Sequence, residues 1–354
     1  MGANQVSFMM TAIVYHEDYN KYDLGVTHPL IGDKPRKTMV FLREKGMLRF
    51  LKIFTPTRVD ENDLLRVHDK MFVDHIKELS RNGGMLAVDT PAPVGIYDYA
   101  RLAAGGTKLA GEKLFEGFHC AINPLGGFHH AGRGYSSGFC FFNDIAIAIE
   151  YLREKHGLKR FLVIDLDVHH ANGTQDIYYE DPTVLHISFH QDGRTLYPGT
   201  GDVEEIGRGD GEGFTVNLPL PPYTSGDVYL MAFDEIIPPL VEEFDPEFIV
   251  YQSGVDGHHL DPLASLGLTY QTYYHLADRI KNLSFSTCNK LLVVLGGGYS
   301  SMISVKSYYN IVCGLIGRGD YIEEEAYISE KNMRQVEELI HSLKKILSRY
   351  WNII

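Results

Sequence analysis

The chain of 354 residues predicts an α/β fold around a largely parallel sheet. Short apolar, often β-branched runs alternate with stretches of helical period, the pattern of strands joined by helical crossovers. Titratable residues follow several of these runs directly, where open parallel sheets collect their ligands. A hydrophobic content of 44% supports one large core, and no repeat, low-complexity tract or interdomain linker divides the sequence. Residues 1–354 are therefore read as one domain.

In chain order the first strand candidates are "TAIVYH" (11–16) and "LKIFTP" (51–56). The segment "GIYDYARLAAGGTKLAGEKLFEG" (95–117) then has helical spacing and leads to a third strand, "HCAINP" (119–124). A second helix, "NDIAIAIEYLREKHG" (143–157), ends in a basic turn and Gly157, a suitable C-cap. Five more strand runs follow: "FLVIDLD" (161–167), "TVLHISFH" (183–190), "FTVNLPL" (214–220), "EFIVYQSG" (247–254) and "KLLVVLGGG" (290–298). The Gly-rich "EIGRGDGEGF" (205–214) is only a loop. A C-terminal amphipathic helix over about 330–352 puts Val336, Leu339, Leu343, Ile346 and Tyr350 on one stripe, read as packing against the sheet, with a partner or oligomer surface as the alternative.

Thirty-three Lys and Arg against 46 Asp and Glu give a net charge of −13, which opposes direct binding to nucleic acid and mildly favours cationic substrates. The four cysteines, Cys120, Cys140, Cys288 and Cys313, lie far apart without a CxxC pair and read as reduced thiols. The N-terminal "MGANQVSFMMTAIVYH" lacks the basic and apolar regions of a leader, and no run approaches a membrane span. The expectation is a cytoplasmic protein with no membrane association.

The run "FLVIDLDVHHANG" (161–173) places two carboxylates and two imidazoles directly after an apolar strand. Along an extended chain side chains alternate faces, so Asp165, Asp167 and His169 point the same way. Carboxylates ~7 Å apart or closer repel unless a cation or hydrogen-bond donors sit between them. A metal is the economical explanation, and carboxylate with imidazole suits Zn²⁺, Fe²⁺, Mn²⁺ or Co²⁺. A lone histidine at a strand end would carry no such implication.

Other strand ends add to the set. "YQSGVDGHHLDPL" (251–263) delivers Asp256 as a third ligand and leaves a fourth position open, as in catalytic sites. "NPLGGFHHAGRGYSSGFCFFND" (123–144) supplies His129 and His130, which have no cysteine at ligand spacing and suit acid/base work. "LLVVLGGGYSS" (291–301) has neither GK[ST] nor GxGxxG, so its glycines bring Tyr299 toward a bound carbonyl rather than a nucleotide.

The ordered set "GGFHHA", "SGFCFFND", "DLDVHHANGTQ", "LHISFH", "YPGTGD", "QSGVDGHHLDPL" and "GGGY" resembles the zinc-dependent histone deacetylase superfamily, which includes acetoin utilisation proteins and acetylpolyamine amidohydrolases. The resemblance spans about residues 10–315 and implies an arginase-deacetylase-like three-layer α/β/α fold with an eight-stranded, mostly parallel sheet. It implies Asp167, His169 and Asp256 as ligands of Zn²⁺, with Fe²⁺ or Co²⁺ as alternatives, His129 and His130 as the catalytic histidine pair, and Tyr299 as the carbonyl-polarising group. It further implies an acyl-lysine channel walled by Phe139, after Gly138, and by Tyr197, with Leu263 near the mouth and Asp89 at the rim. Asp165 would support His129 and, with Ser188 and the carbonyls of Asp167, His169 and Phe189, hold a structural K⁺ or Na⁺. His170 would be structural.

The implied activity is hydrolysis of an acetylated amine, most simply acetyl-lysine of a protein or a small acetyl-lysine-like amide. Where some members carry an Asp that orients the general base, this chain has Asn172, closer to the class II branch than to class I. An acetylpolyamine amidohydrolase is the alternative, favoured by the acidic charge but opposed by Leu263, which follows Asp261 and Pro262 where an acidic residue would greet a distal amine. A silent acyl-lysine-binding scaffold is opposed by the complete set of catalytic residue types. An arginase-like ureohydrolase would need more Asp and His ligands than these motifs offer.

Overall fold

The computed structural model describes residues 10–30, 32–325 and 330–352. Part of the leader expectation rests on residues 1–9, and the C-terminal segment ends in residues 353–354; both stretches lie outside the described residues.

Each of the eight apolar runs becomes a strand of one sheet. They are β1 (Thr11–Val14), β2 (Leu51–Phe54), β5 (Cys120–Asn123), β6 (Phe161–Asp165), β7 (Val184–Gln191), β8 (Thr215–Leu220), β9 (Phe248–Gln252) and β10 (Leu291–Val294). The order is β2-β1-β5-β10-β9-β6-β7-β8 and every pair is parallel. The chain adds a small antiparallel hairpin of β3 (Gly84–Ala87) and β4 (Thr90–Ala92). Pro91 removes a ladder donor there, so the segment carries little strand signal.

Helices cover both faces: α1 (Lys34–Glu44), α2 (Glu61–Leu65), α3 (Lys70–Asn82), α4 (Ile96–Lys113), α5 (Asp144–His156), α6 (Asn172–Tyr178), α7 (Gly226–Phe244), α8 (Tyr270–Ser286), α9 (Ser301–Ile316) and α10 (Glu330–Leu347). The alternation of strand side chains builds the layers. Phe161 and Val163 enter one core with residues of α4 and α5, while Leu162 and Ile164 enter the other with residues of α7, α8 and α9. As expected, α5 stops at Gly157, whose φ of 69° closes the helix with its N–H on the Arg153 carbonyl.

The C-terminal helix packs on its own chain, against α7 and β8. Its buried stripe is Val336, Ile340, Leu343 and Leu347, continued by Trp351; Leu339, Ile346 and Tyr350 of the expected stripe are only partly buried beside it. Trp351 fixes this rotation, because its ring stands edge-on to Phe214 at 5.2 Å and its Nε1 donates to the Gly213 carbonyl at 2.7 Å. All four cysteines are unpaired, and among the described residues no helix is long and apolar enough to cross a membrane.

Candidate active site

The four central strands β5, β10, β9 and β6 lie side by side, and the loops after their carboxyl ends bring the candidate residues together. Strand β6 ends at Asp165, two residues earlier than its apolar run suggests, because side chains capture the next backbone donors. Asp167 N–H donates to Asp165 Oδ1 at 3.2 Å, Val168 N–H to Asp256 Oδ1 at 3.1 Å and His169 N–H to Asp167 Oδ1 at 3.0 Å. The alternation of faces continues past the strand end: Leu166 and Val168 join Leu162 and Ile164 in one core, while Asp165 and Asp167 both turn to His129, whose Nε2 lies 3.9 Å from Asp167 Oδ1. Asp165 accepts a hydrogen bond from His129, whereas Asp167 and His169 group with Asp256.

In that group His169 Nδ1 lies 3.1 Å from Asp167 Oδ1 and 3.1 Å from Asp256 Oδ2, and all three residues are buried. Burial and the charge of Asp167 raise the Asp256 carboxyl to about 6. Burial acts to lower His169, yet its bonds to the two carboxylates hold the imidazole up at about 10, so the cluster favours positive charge at its centre. The donor set of two carboxylates and one imidazole fits a divalent cation. Neighbours fix its geometry: Gln252 Nε2 and the Gly297 N–H each donate to Asp167 Oδ2 at 3.1 Å. A Cβ on Gly297 would lie 2.3 Å from Asp256 Oδ2, which is why the loop before Tyr299 needs glycine here.

The paired histidines occupy opposite electrostatic surroundings. His129 Nδ1–H donates to Asp165 at 2.9 Å, and His130 Nδ1 faces the Asn172 side-chain oxygen at 2.6 Å. Their Nε2 atoms are 3.1 Å apart. Burial lowers both, but Asp165 and Asp167 more than offset it at His129, which is raised. His130, with a neutral amide beside it and His129 and His169 nearby, is held well below the ordinary imidazole range. Adjacent residues pushed apart in this way suit a neutral base beside a charged partner.

Tyr299 stands edge-on to Phe139 at 5.5 Å and to His169 at 6.4 Å. Burial and the nearby Asp256 and Asp167 raise its phenol well above the usual value, so it keeps its proton and can donate. Its backbone N–H is anchored on Asp261 Oδ2 at 2.7 Å. Above these groups a cleft of about 280 Å³ is lined by Asp89, Gly138, Phe139, Tyr197, Leu263 and Tyr299, among others.

Gly138 and Phe139 both have positive φ, 56° and 69°, and a Cβ on Gly138 would meet His130 Cδ2 at 2.2 Å. The bend is held by the hairpin: Gly138 N–H donates to Asp89 Oδ2 at 3.0 Å, Phe139 N–H to Thr90 Oγ1 at 3.1 Å and Thr90 Oγ1 to Asp89 Oδ1 at 2.8 Å. Asp89 thus lies at the cleft as expected, with its carboxylate also engaged by its own chain. Asp165 and Ser188 are fully buried register partners across β6 and β7, with Phe189 next in β7. His170 is a structural group, bonded to Thr200 and Gln175.

Several supporting residues have roles that the sequence does not assign. Half-buried Lys34 donates to the Gly296 and Gly298 carbonyls at 3.0 and 2.9 Å, bracing the glycine loop. Asp144 accepts from Gly127 N–H, Phe128 N–H and Thr107 Oγ1, which organises the chain just before His129. The "FFND" run signals a helix start, but only the fold shows which loop it holds. A second His/Glu grouping, His258, His259 and Glu324, is a polar clamp. His258 Nδ1 accepts from Leu260 N–H, its Nε2 lies 2.8 Å from a Glu324 carboxylate oxygen, and His259 Nδ1 lies 3.2 Å from the Leu268 carbonyl.

The Histone deacetylase domain model matches residues 28–315. A "Probable deacetylase" of Archaeoglobus fulgidus is 39% identical over 361 aligned positions, covering 97% of this chain and 99% of that one. A "Histone deacetylase-like amidohydrolase" of Pseudomonas aeruginosa is 38% identical, covering 79% of this chain and 73% of that one. The "Acetoin utilization protein AcuC" of Bacillus subtilis is 34% identical, with 82% and 77% covered. Among solved structures, the HDA15 HD domain superposes with a TM-score of 0.86 at 27% identity, covering 98% of this chain and 96% of that one.

Proposed function

The chain belongs to the histone deacetylase family of deacetylases and amidohydrolases, and on that premise we propose that it is a zinc-dependent hydrolase of acetyl-lysine, in protein or in a small acetyl-lysine-like amide. One observation carries the reading: the Asp167–His169–Asp256 cluster, the His129–His130 pair and Tyr299 converge at the floor of a cleft walled by Phe139 and Tyr197. Asp167, His169 and Asp256 would hold the ion, Zn²⁺ or in its place Fe²⁺ or Co²⁺, which supplies Lewis-acid polarisation of the amide carbonyl and of water.

The chain's own groups carry the proton traffic. His130, neutral because its imidazole is held low, accepts a proton at Nε2 from the attacking water and returns one to the departing amine. Asn172 keeps the His130 ring oriented through Nδ1. His129, charged beside Asp165, stabilises the negative charge that develops nearby. Tyr299 donates a hydrogen bond from its phenolic hydroxyl to the developing oxyanion, a contribution of ~3 kcal/mol per donor in such sites. A K⁺ or Na⁺ at Asp165, Ser188 and the Asp167, His169 and Phe189 carbonyls belongs to the same proposal, as does a cytoplasmic location consistent with four unpaired cysteines.

Leu263 in the cleft lining presents an apolar surface along the acyl-lysine path and no carboxylate for a distal amine, which favours lysine over polyamine substrates. Metal-loaded protein assayed side by side on acetyl-lysine peptides and acetylated polyamines tests the reading. Preferred turnover of the peptides is expected; turnover of polyamines alone would overturn the substrate assignment, and turnover of neither would overturn the activity.

A further inference from the structure

An amide beside a general base poses an orientation problem that a carboxylate does not. If the Asn172 oxygen faces His130 Nδ1, that nitrogen carries the proton and Nε2 is left as a free base; if the NH₂ end faces it, Nδ1 becomes the acceptor and Nε2 loses its basicity. The two arrangements have the same shape and nearly the same packing. Only the partner on the far side of the amide separates them.

That partner is Tyr135. Asn172 Nδ2 donates to the Tyr135 hydroxyl at 3.4 Å, and the hydroxyl in turn donates to Asp176 Oδ2. Because the Asp176 carboxylate takes the phenolic proton, the hydroxyl offers Asn172 only lone pairs, and the amide's NH₂ end must turn to it. Asn172 and Asp176 lie four residues apart in α6, on one face of the helix. Tyr135 reaches them from the loop after the histidine pair, which Gly132 N–H closes on the Tyr135 carbonyl at 3.0 Å. The oxygen end of Asn172 is thereby left for His130 at 2.6 Å.

We propose that Tyr135 and Asp176 are positioning residues that lock the Asn172 amide with its oxygen toward His130, and so set the catalytic tautomer of the general base. The inference rests on the deacetylase reading above, with His130 as base. It assigns to Asp176 a place at the end of a relay, Asp176 to Tyr135 to Asn172 to His130, in which the carboxylate acts by orientation at a distance rather than by charge beside the imidazole. It also gives the exposed Tyr135, which is not itself in the substrate cleft lining, a role in turnover.

The test is a double-mutant comparison on an acetyl-lysine peptide. Tyr135→Phe should lower kcat about fivefold, the worth of one neutral hydrogen bond, with KM and hydroxamate affinity unchanged. Asp176→Ala should have a similar effect, and Asp176→Asn should rescue it, because an amide oxygen still accepts the phenolic proton. In the Asn172→Asp background, where both oxygens are equivalent and no orientation is needed, Tyr135→Phe should change kcat less than about twofold. Equal losses in both backgrounds, or a loss confined to KM, would make Tyr135 a loop anchor and overturn the proposal.

Imidazole ¹⁵N spectra provide a readout independent of turnover. His130 should show a protonated Nδ1 and bare Nε2 in the parent chain and a mixture in Tyr135→Phe; unchanged tautomers would also overturn it. An inactive parent chain would instead sink the deacetylase reading, and the tautomer spectra would still decide the orientation question.

Discussion

Replacing Asn172 with Asp puts a negative charge against the His130 imidazole and should shift the acidic limb of the kcat/KM profile to higher pH. The contact is short, with Asn172 Oδ1 2.6 Å from His130 Nδ1. Unit charges ~4 Å apart at an effective dielectric of ~20 interact by ~4 kcal/mol, about three pKa units. Asn172 is partly exposed, so solvent takes up part of this and a move of about one to two pH units is the expected result. The sign follows from the role. His130 is held low by burial and by its cationic neighbours, and it must be neutral to accept a proton. A carboxylate favours imidazolium, so activity is lost earlier as the pH falls. The assay is a pH series on an acetyl-lysine peptide with metal ion in excess, with Asn172→Ala as the neutral control that loses rate through lost orientation and moves the limb less. A limb that stays in place in Asn172→Asp, or moves to lower pH, would refute the assignment of His130 as base.

Three further outcomes follow from the site and its supports. Tyr299→Phe should cut kcat ~10²-fold or more while a hydroxamate still binds, since one oxyanion donor is removed and the metal cluster is untouched. Asp144→Ala should lower stability by ~2–5 kcal/mol in a urea melt, because it strands the Gly127 and Phe128 donors in a buried loop; a change under ~1 kcal/mol would show that water replaces the carboxylate freely. Trp351→Ala should cost ~3–5 kcal/mol by the same measurement and leave kcat of the folded protein unchanged, as expected if α10 is packing; lost activity without lost stability would give the helix another role.

The sheet was legible because parallel strands covered by helices on both faces must be apolar throughout, so "FLVID" and "KLLVV" stand out as continuous runs. The hairpin was not, since β4 is three residues long and contains Pro91. Helix α7 hides for a related reason: Pro238 and Pro239 sit inside it, where the sequence reads as a break. The stripe of α10 keeps Val336 and Leu343 but takes Ile340, Leu347 and Trp351 in place of Leu339, Ile346 and Tyr350, because the neighbouring row is almost as apolar and the Trp351 contact with Gly213 selects between them. At the site, motif residues announce themselves by spacing, and Asp167, His169 and Asp256 do come together. The strand ends two residues earlier than its apolar run suggests because the carboxylates take the next backbone donors. Lys34 lies in no motif, and Gln252, though it opens "QSGVDGHHLDPL", gave no sign of its role: each acts through loops distant in sequence, a relation that exists only once the chain has folded.

The most direct measurement is turnover of an acetyl-lysine peptide by protein shown by elemental analysis to be free of transition metal, compared with the same protein after adding Zn²⁺, Fe²⁺ or Co²⁺. If Asp167, His169 and Asp256 hold the ion on which hydrolysis depends, the metal-free chain should be inactive, one ion per chain should restore turnover, and Asp256→Asn should weaken that restoration. Full turnover by the verified metal-free chain would contradict the claim.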